Sequence, residues 1–277
     1  TNHNTNQTTK INAYFVETEP VLAGANVTPD PGGWGETFTF RVNATDRDND
    51  TLSVQLWVRK QPASAWTLQS TNSSVRGTNV TVTFTKAFVS GDIGVWDYKF
   101  NVTEDDAGQI NETTVRNFTV EKDDLVIELV AGNNSIAGRP SNLQPNTTTL
   151  TVRARDTDRN LYLDSGFQGR FWITTNNGPT YRLESSPVTD SSGYLNLSAF
   201  DPTCNYGVGP QNWVAGIDGE AAYKNTNSSL FNLTVNTYPL NANITEPLNA
   251  KNYRRGIDNI IIKGNVTDEC GSVAGAT

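Results

Sequence analysis

Histidine is almost absent from this sequence, which contains a single one, His3, in a polar segment at the start of its 277 residues. A Ser-His-Asp or Cys-His catalytic site, or a zinc site with histidine ligands, is therefore excluded. No phosphate-binding Gly-Lys-Ser/Thr loop occurs, and the acidic residues fall in repeated turns instead of standing out as one catalytic pair. We therefore expect a chain that is not an enzyme and that requires no cofactor.

Long apolar runs, basic clusters and methionine are missing as well. No stretch approaches 18 apolar residues, so we expect no membrane span in this segment. The 21 Lys and Arg residues are spread thinly in a chain of formal net charge -8, so we expect no nucleic acid partner. The lack of any Met fits a mature chain whose leader was removed, and a partial chain fits equally.

Asparagine and threonine dominate the polar residues, with 32 and 36 copies. Sixteen asparagines begin an Asn-x-Ser/Thr triplet without proline in the middle, whereas chance would give about six. The abundance of Asn and Thr could explain any one triplet, but it does not explain the set. Covalent N-glycans are therefore predicted at Asn6, Asn26, Asn43, Asn49, Asn72, Asn79, Asn101, Asn111, Asn117, Asn133, Asn146, Asn196, Asn227, Asn232, Asn243 and Asn265.

An internal repeat defines the predicted domains. Phe40–Asp48 aligns with Leu150–Asp158 and again with Ile262–Glu269, at offsets of 110 and 112 residues. The prediction is a polar N-terminal segment (1–11), two full domains (12–124 and 125–239) and a third unit (240–277). The third unit is too short to bury a core of its own. It is either an incomplete domain or a donor strand, centred on 260–266, that would enter a neighbouring subunit.

Strand patterns fill the first full unit. Polar and apolar residues alternate along 38–45 and 52–58, the period of a half-buried strand. Further strands are predicted near 65–69, 78–86, 94–103 and 112–120. About seven short strands in about 110 residues indicate an all-β fold of tandem immunoglobulin-like β-sandwich domains.

Two segments resemble a known class of module. Asp92–Trp96 resembles the Asp-x-Gly-x-Tyr turn that opens strand F of immunoglobulin folds, with Trp in the Tyr position. Ala44–Leu52, followed by Trp96–Gly108, resembles the immunoglobulin-like, PKD-like and cadherin-like modules of archaeal surface proteins, including surface-layer glycoproteins. The resemblance covers both full units, and it implies a module type more than a role.

Acidic residues gather in loops that share one end of an immunoglobulin-like sandwich. Glu104 to Asp106 occupy one hairpin, and matching aspartates follow the second strand of each unit. Several carboxylates at one pole suit Ca²⁺, although aspartates that bond their own turn explain the pattern without metal. The candidate Ca²⁺ ligands are Asp46, Asp48, Asp50, Asp105, Asp106, Asp156 and Asp158.

The two cysteines, Cys204 and Cys270, are predicted to lie in loops at facing ends of the second and third units. The hypothesis is a disulfide that fixes the angle between these units; the alternative is two free or differently paired thiols.

Taken together, these features predict an extracellular, cell-surface glycoprotein of structural function, self-associating in a surface layer (S-layer) or filament and most plausibly archaeal. The rival hypothesis is an adhesin or glycan-binding accessory module of a larger secreted protein, which would recognise glycans through exposed Trp side chains. Trp57 and Trp172 recur at matched strand positions, however, and this favours a packing role.

Overall fold

The computed structural model describes residues 17–62, 65–106, 108–139, 147–247 and 252–272. Strands make up 58% of the structure, and the described residues contain no α-helix, only one 3-10 turn at Ser90–Asp92. Among these residues there is accordingly no helix with the length and apolarity needed to cross a membrane. The chain divides into two compact units between Lys122 and Asp123. The predicted all-β fold class is confirmed.

The first unit is a sandwich of two β-sheets. Its strands are β1 (Val21–Thr28), β2 (Gly32–Gly33), β3 (Thr37–Thr45), β4 (Leu52–Lys60), β5 (Thr67–Val75), β6 (Val80–Ala87), β7 (Gly94–Glu104), β8 (Ile110–Glu112) and β9 (Arg116–Glu121). One sheet has the order β1-β3-β6; the other has the order β2-β9-β7-β4-β5, with β8 paired to β7. Successive strands are thus divided between two packed sheets, as in an immunoglobulin-like sandwich.

Alternation along the strands builds the core of this unit. Phe38 and Phe40 in β3, and Leu52, Val54 and Leu56 in β4, are fully buried, while the residues that alternate with them are not. Phe118 of the opposite sheet lies with its ring centroid 5.4 Å from Phe38 and 5.3 Å from Phe40. These aromatic contacts join the two sheets across the core.

In many immunoglobulin-like sandwiches a tyrosine hydroxyl at this corner donates a hydrogen bond to the backbone a few residues upstream. The turn before β7 has the same hydrogen bond, with tryptophan as the donor. The indole Nε1 of Trp96 donates to the backbone carbonyl of Asp92 at 2.8 Å. The Trp96 indole therefore replaces the tyrosine hydroxyl as the hydrogen-bond donor at this corner. The resemblance of Asp92–Trp96 to that turn extends to its hydrogen bonding.

Two strands differ from their predicted bounds. The strand predicted near 112–120 is divided between β8 and β9, with 113–115 outside both. β5 runs over Thr67–Val75, well beyond the predicted 65–69. It is an edge strand, and 71–74 are all exposed and polar. Because neither face of this stretch is buried, the period-two pattern that marks other strands is absent.

The second unit repeats the architecture. Its strands are β10 (Leu125–Ala131), β11 (Ser135–Gly138), β12 (Thr148–Asp156), β13 (Leu161–Tyr162), β14 (Gly169–Thr174), β15 (Tyr181–Ser185), β16 (Tyr194–Phe200), β17 (Gly209–Ile217), β18 (Thr226–Asn227) and β19 (Phe231–Asn236). One sheet joins β10, β12, β13 and β16; the other has the order β11-β19-β17-β14-β15, with β18 on β17. Trp213 is fully buried in the core, with its ring 4.7 Å from that of Phe231.

The last described segment forms a small sheet of its own. It contains β20 (Asn241–Glu246), β21 (Lys263–Asp268) and β22 (Gly271–Ser272), in that order. The segment falls within the second compact unit, and none of its residues of described burial is buried. The strand predicted as a possible donor pairs with β20 and β22 of its own chain. This sheet has no hydrophobic core of its own.

Candidate functional site

The predicted glycosylation sites lie on the surface. Asn6 and Asn146 lie outside the described residues. Of the other fourteen sequon asparagines, eleven are exposed, three are half-buried and none is buried. The half-buried ones are Asn43, Asn101 and Asn111. Such side chains are accessible to a modifying enzyme without loss of the core.

Strand alternation presents several of these triplets on the outer faces of the sheets. In β7, β9 and β19 the middle residue of the triplet, Val102, Phe118 or Leu233, is buried. The flanking Asn and Thr point to the other side of the sheet, as the period of two requires. Glycans at these positions would stand on sheet faces as well as on loops.

Sequons also lie in six of the thirteen described strands that pair on one side only. In the described part of the chain, β1, β5, β8, β16, β18 and β20 each have a single pairing neighbour, and each contains a sequon asparagine. An edge strand offers unpaired backbone groups to any other strand, and proteins block this with charge, irregularity or bulk. A glycan attached to an edge strand would block its unpaired backbone groups in this way.

The acidic loop after β3 is organised by two of its aspartates. The Asp46 carboxylate, 1% exposed, accepts hydrogen bonds from the backbone N–H groups of Asp48 and Asp50. Asp48 in turn accepts hydrogen bonds from the backbone N–H and the hydroxyl of Thr18, at 2.5 and 2.6 Å. Asp46 therefore has the turn-forming role considered for these aspartates, whereas Asp48 holds the distant Thr18.

Three other carboxylates converge at the same pole. One oxygen each of Glu17, Asp50 and Glu104 lies within 4.8 Å of the other two. Glu104 is 1% exposed, and neither of its carboxylate oxygens has a hydrogen-bond partner. Burial, followed by the facing Asp50 carboxyl, raises the pKa of Glu104 to about 7. The neighbouring candidates Asp105 and Asp106 are both exposed and outside this group.

The matching loop of the second unit is built differently. The guanidinium of Arg159 donates twice to the Asp156 carboxylate, at 2.8 and 2.5 Å. Burial alone would raise the pKa of Asp156, but hydrogen bonds from the backbone and side chain of Arg159 outweigh it and hold the pKa below its usual range. Asp158, the other candidate ligand there, is exposed. An arginine thus supplies the positive charge in this loop.

The two cysteines are joined in a disulfide. Cys204, between β16 and β17, pairs with Cys270, between β21 and β22, with their Cα atoms 5.6 Å apart. Beside the bond, the Arg139 guanidinium lies 3.5 Å from the Glu269 carboxylate, and the Thr237 hydroxyl donates to that carboxylate at 2.9 Å. The disulfide and this polar cluster attach the small terminal sheet to the second sandwich.

Glu269 is held ionised by its surroundings. Burial alone would raise the pKa of Glu269, but hydrogen bonds from Thr237 and from the backbone N–H of Tyr238, together with the charge of Arg139, outweigh it and keep the pKa below its usual value of 4.5.

Tryptophans form a recess on the outer face of the first unit. Trp57 lies between the buried residues of β4 and therefore points away from the core, where it is half-buried. Trp57, Trp66, Lys99 and Asn101 line a recess of about 180 Å³. The guanidinium of Arg59 lies 4.6 Å from the centre of the Trp66 ring. A packing role in the core, one of the roles expected for Trp57, does not apply.

Sequence reasoning missed several residues of these clusters. Glu17 and Arg159 were not predicted to take part, and Glu104 was placed in an acidic hairpin but not among the ligands. A signal for Glu104 exists, because it continues the core-facing positions of Phe100 and Val102. A charged residue at such a position requires a partner. No local pattern signals Glu17, which is far from the other two in the sequence.

Comparisons with known proteins give little further help. No family model and no curated protein matches the chain. One solved structure that is similar to it is the crystal structure of red sea bream transglutaminase, at 11% identity and a TM-score of 0.35. The match covers 77% of this chain, which spans only 31% of that one. A likeness this distant carries no argument about function.

The expectation that the chain is not an enzyme is corrected by this comparison. The matched structure is that of an enzyme, and the likeness is too weak to assign an activity or to deny one.

Proposed function

We propose that this chain is a structural glycoprotein of a cell surface, in which tandem immunoglobulin-like sandwiches form part of a surface layer or an extracellular filament. One observation carries the proposal: fourteen described sequon asparagines, on both sandwiches and on the terminal sheet, include none that is buried. A dense coat of sugar suits a protein that is permanently exposed to its environment. The proposed source is an archaeon, and the resemblance of two segments to modules of archaeal surface proteins is the support for it.

The positions of six sequons support a protective role. Six of the thirteen described strands with one pairing neighbour contain a sequon asparagine, so glycans there would keep those sheet edges from pairing with other chains. The disulfide fits the same setting, since such bonds persist in oxidising compartments.

Glycopeptide mapping of the native protein tests the modification. The expected result is sugar on most of the sixteen sequon asparagines. Asn176, Asn177 and Asn205 provide a matched control, since they are exposed but have no Ser or Thr two residues on. Bare sequon asparagines would remove the main support for the proposal.

Electron cryomicroscopy of native envelopes tests the assembly. An ordered sheet or fibre with density branching from the sequon asparagines is the expected result. Dispersed monomers would count against a structural layer and favour the rival function, a glycan-binding module.

That rival has one observation in its favour, the outward-facing recess lined by Trp57 and Trp66. Aromatic faces of this kind suit sugar rings. Asn101 lines the same recess, however, so a glycan attached to this sequon would occupy the space that a free glycan needs. A glycan array probed with the protein and with Trp66→Ala decides the matter: specific hits lost in the variant would support the rival.

A further inference from the structure

Glu104 is in a position that ordinary packing does not explain. It is the last residue of β7 and lies on the core-facing side of that strand, after Phe100 and Val102. Its side chain is 1% exposed, and both carboxylate oxygens lack a hydrogen-bond partner. Burying a carboxylate without a donor or a counter-charge is strongly unfavourable, and it is relieved either by a proton or by a bound cation.

The surroundings of Glu104 supply only more negative charge. One carboxylate oxygen from each of Glu17, Asp50 and Glu104 lies within 4.8 Å of the other two. Within the described residues, no Lys or Arg forms an ion pair with any of the three. Three carboxylates from distant parts of the sequence therefore face one another with no positive charge between them.

The loop is built to hold these carboxylates together. Asp46 uses its oxygens on the backbone N–H groups of Asp48 and Asp50, which fixes the position of the Asp50 side chain. Asp48 binds the backbone and hydroxyl of Thr18, the neighbour of Glu17. Asp46 and Asp48 are therefore positioning residues, and Glu17, Asp50 and Glu104 are left to face the common centre.

We propose that Glu17, Asp50 and Glu104 bind one Ca²⁺ ion at this pole of the first unit. Separations of 4.8 Å or less allow one cation to contact an oxygen of all three side chains. Mg²⁺ usually takes only one or two carboxylates and keeps several of its waters, so a set of three carboxylates favours Ca²⁺. Three carboxylates offer up to six oxygens, and water completes the six to eight ligands of Ca²⁺.

The second unit provides an internal contrast. Its matching loop has the same leading aspartate, Asp156, but Arg159 donates to it with two guanidinium nitrogens. The proposal of Ca²⁺ therefore covers the first unit only. The two units stabilise equivalent loops with a bound cation in one and a side-chain cation in the other.

Calorimetric titration of the full chain, stripped of metal with a chelator, tests the site. The probes are CaCl2 and MgCl2. The wild type is expected to bind Ca²⁺ at one saturable site and, at about a hundredfold excess over its Kd, to unfold at a temperature on the order of 10 °C higher. MgCl2 is expected to bind at least tenfold more weakly.

Three variants separate a built site from general attraction to acidic loops. Glu104→Gln is expected to abolish Ca²⁺ binding while raising the unfolding temperature of the metal-free protein, since it removes a buried charge. Glu17→Gln, at an exposed position that leaves folding unaffected, is expected to weaken binding at least tenfold. Asp105→Asn is the matched control: it removes the same charge one residue along, from an exposed side chain outside the cluster, and should keep wild-type affinity within about threefold.

Two results would overturn the proposal. The first is an absence of Ca²⁺ binding to the wild type. The second is an equal loss of affinity in Asp105→Asn and in Glu17→Gln, which would show that Ca²⁺ responds to overall charge. Equal affinity for Mg²⁺ and Ca²⁺ would overturn the assignment of the ion.

Discussion

The small terminal sheet depends on the Cys204–Cys270 disulfide, because none of its residues of described burial is buried. A sheet of three short strands without a core is not stable alone in water. We therefore expect the double variant Cys204→Ala, Cys270→Ala to release β20, β21 and β22 while the second sandwich stays folded. The sandwich keeps its own core around Trp213 and Phe231.

The size of the effect follows from the length of the loop. The bond joins residues 66 apart in the sequence, and a cross-link closing such a loop stabilises the attached structure by up to about 4 kcal/mol. That free energy corresponds to about a thousandfold change in the equilibrium for local opening. Backbone amides in 241–246 and 263–268 should therefore exchange with solvent up to about a thousand times faster in the variant.

Hydrogen exchange read out by mass spectrometry measures this directly. Peptides from β17, in the core of the second sandwich, serve as the internal control and should keep their protection. Unchanged protection of β20 and β21 would refute the reasoning, because it would show that other contacts hold the sheet. Loss of protection throughout the second unit would also refute it, since the sheet would then be part of one cooperative core.

Three further changes test single interactions. Glu269→Gln should cost about 2 kcal/mol in urea unfolding at pH 7, because the hydrogen bonds to its charge are lost. Since its folded pKa lies below the usual value of 4.5, this contribution is present above that value and lost as the pH falls through the folded pKa, so variant and wild type should converge once the pH is below the folded pKa. Arg159→Gln should cost about 2 kcal/mol by leaving the buried Asp156 carboxylate unpaired, and Asp156→Asn should restore much of the loss in thermal unfolding. Gly132→Ala should cost about 2 kcal/mol by calorimetry, since its φ is +100° and the added Cβ would lie 2.6 Å from Leu150.

Two of these changes have a matched control. Arg170→Gln breaks an ion pair with Asp218 whose side chains are 39% and 27% exposed, so a loss below about 1 kcal/mol is expected. An equal loss in both arginine variants would show that burial of Asp156 is not decisive. Gly91 has ordinary φ and no neighbour within 4 Å of an added Cβ, so Gly91→Ala should be nearly neutral. A pH-independent effect of Glu269→Gln would contradict the assigned ionisation.

The strands that the sequence predicted best are those with one face in the core. Along 38–44 and 52–58, burial and hydrophobicity alternate together, so the pattern could be read residue by residue. The exposed edge strand β5 could not be found in this way beyond its first residues. The sequence therefore predicts the strands that bury one face, because their apolar and polar residues alternate. It does not predict strands that are stabilised by backbone pairing alone.

Residues of the candidate cation site could be recovered only in part. Asp50 stands in a local cluster of aspartates, and such clusters are visible in the sequence. Glu17 and Glu104 reach the same point from other segments, and which carboxylates meet is decided by tertiary packing. The sequence also could not show that the Asp46 carboxylate accepts hydrogen bonds from backbone N–H groups, because this depends on the folded path of the loop.

The positions of the sequons constrain how copies of this chain can assemble in the proposed layer. Glycans on β1, β5, β8, β16, β18 and β20 would obstruct strand addition at those edges. β15, by contrast, is an edge strand without a sequon, and its residues Tyr181 and Leu183 are exposed. Contacts between copies must therefore use loops, ends of the sandwiches or edges such as β15. A layer built in this way would be held by a few bare surfaces on an otherwise sugar-covered protein.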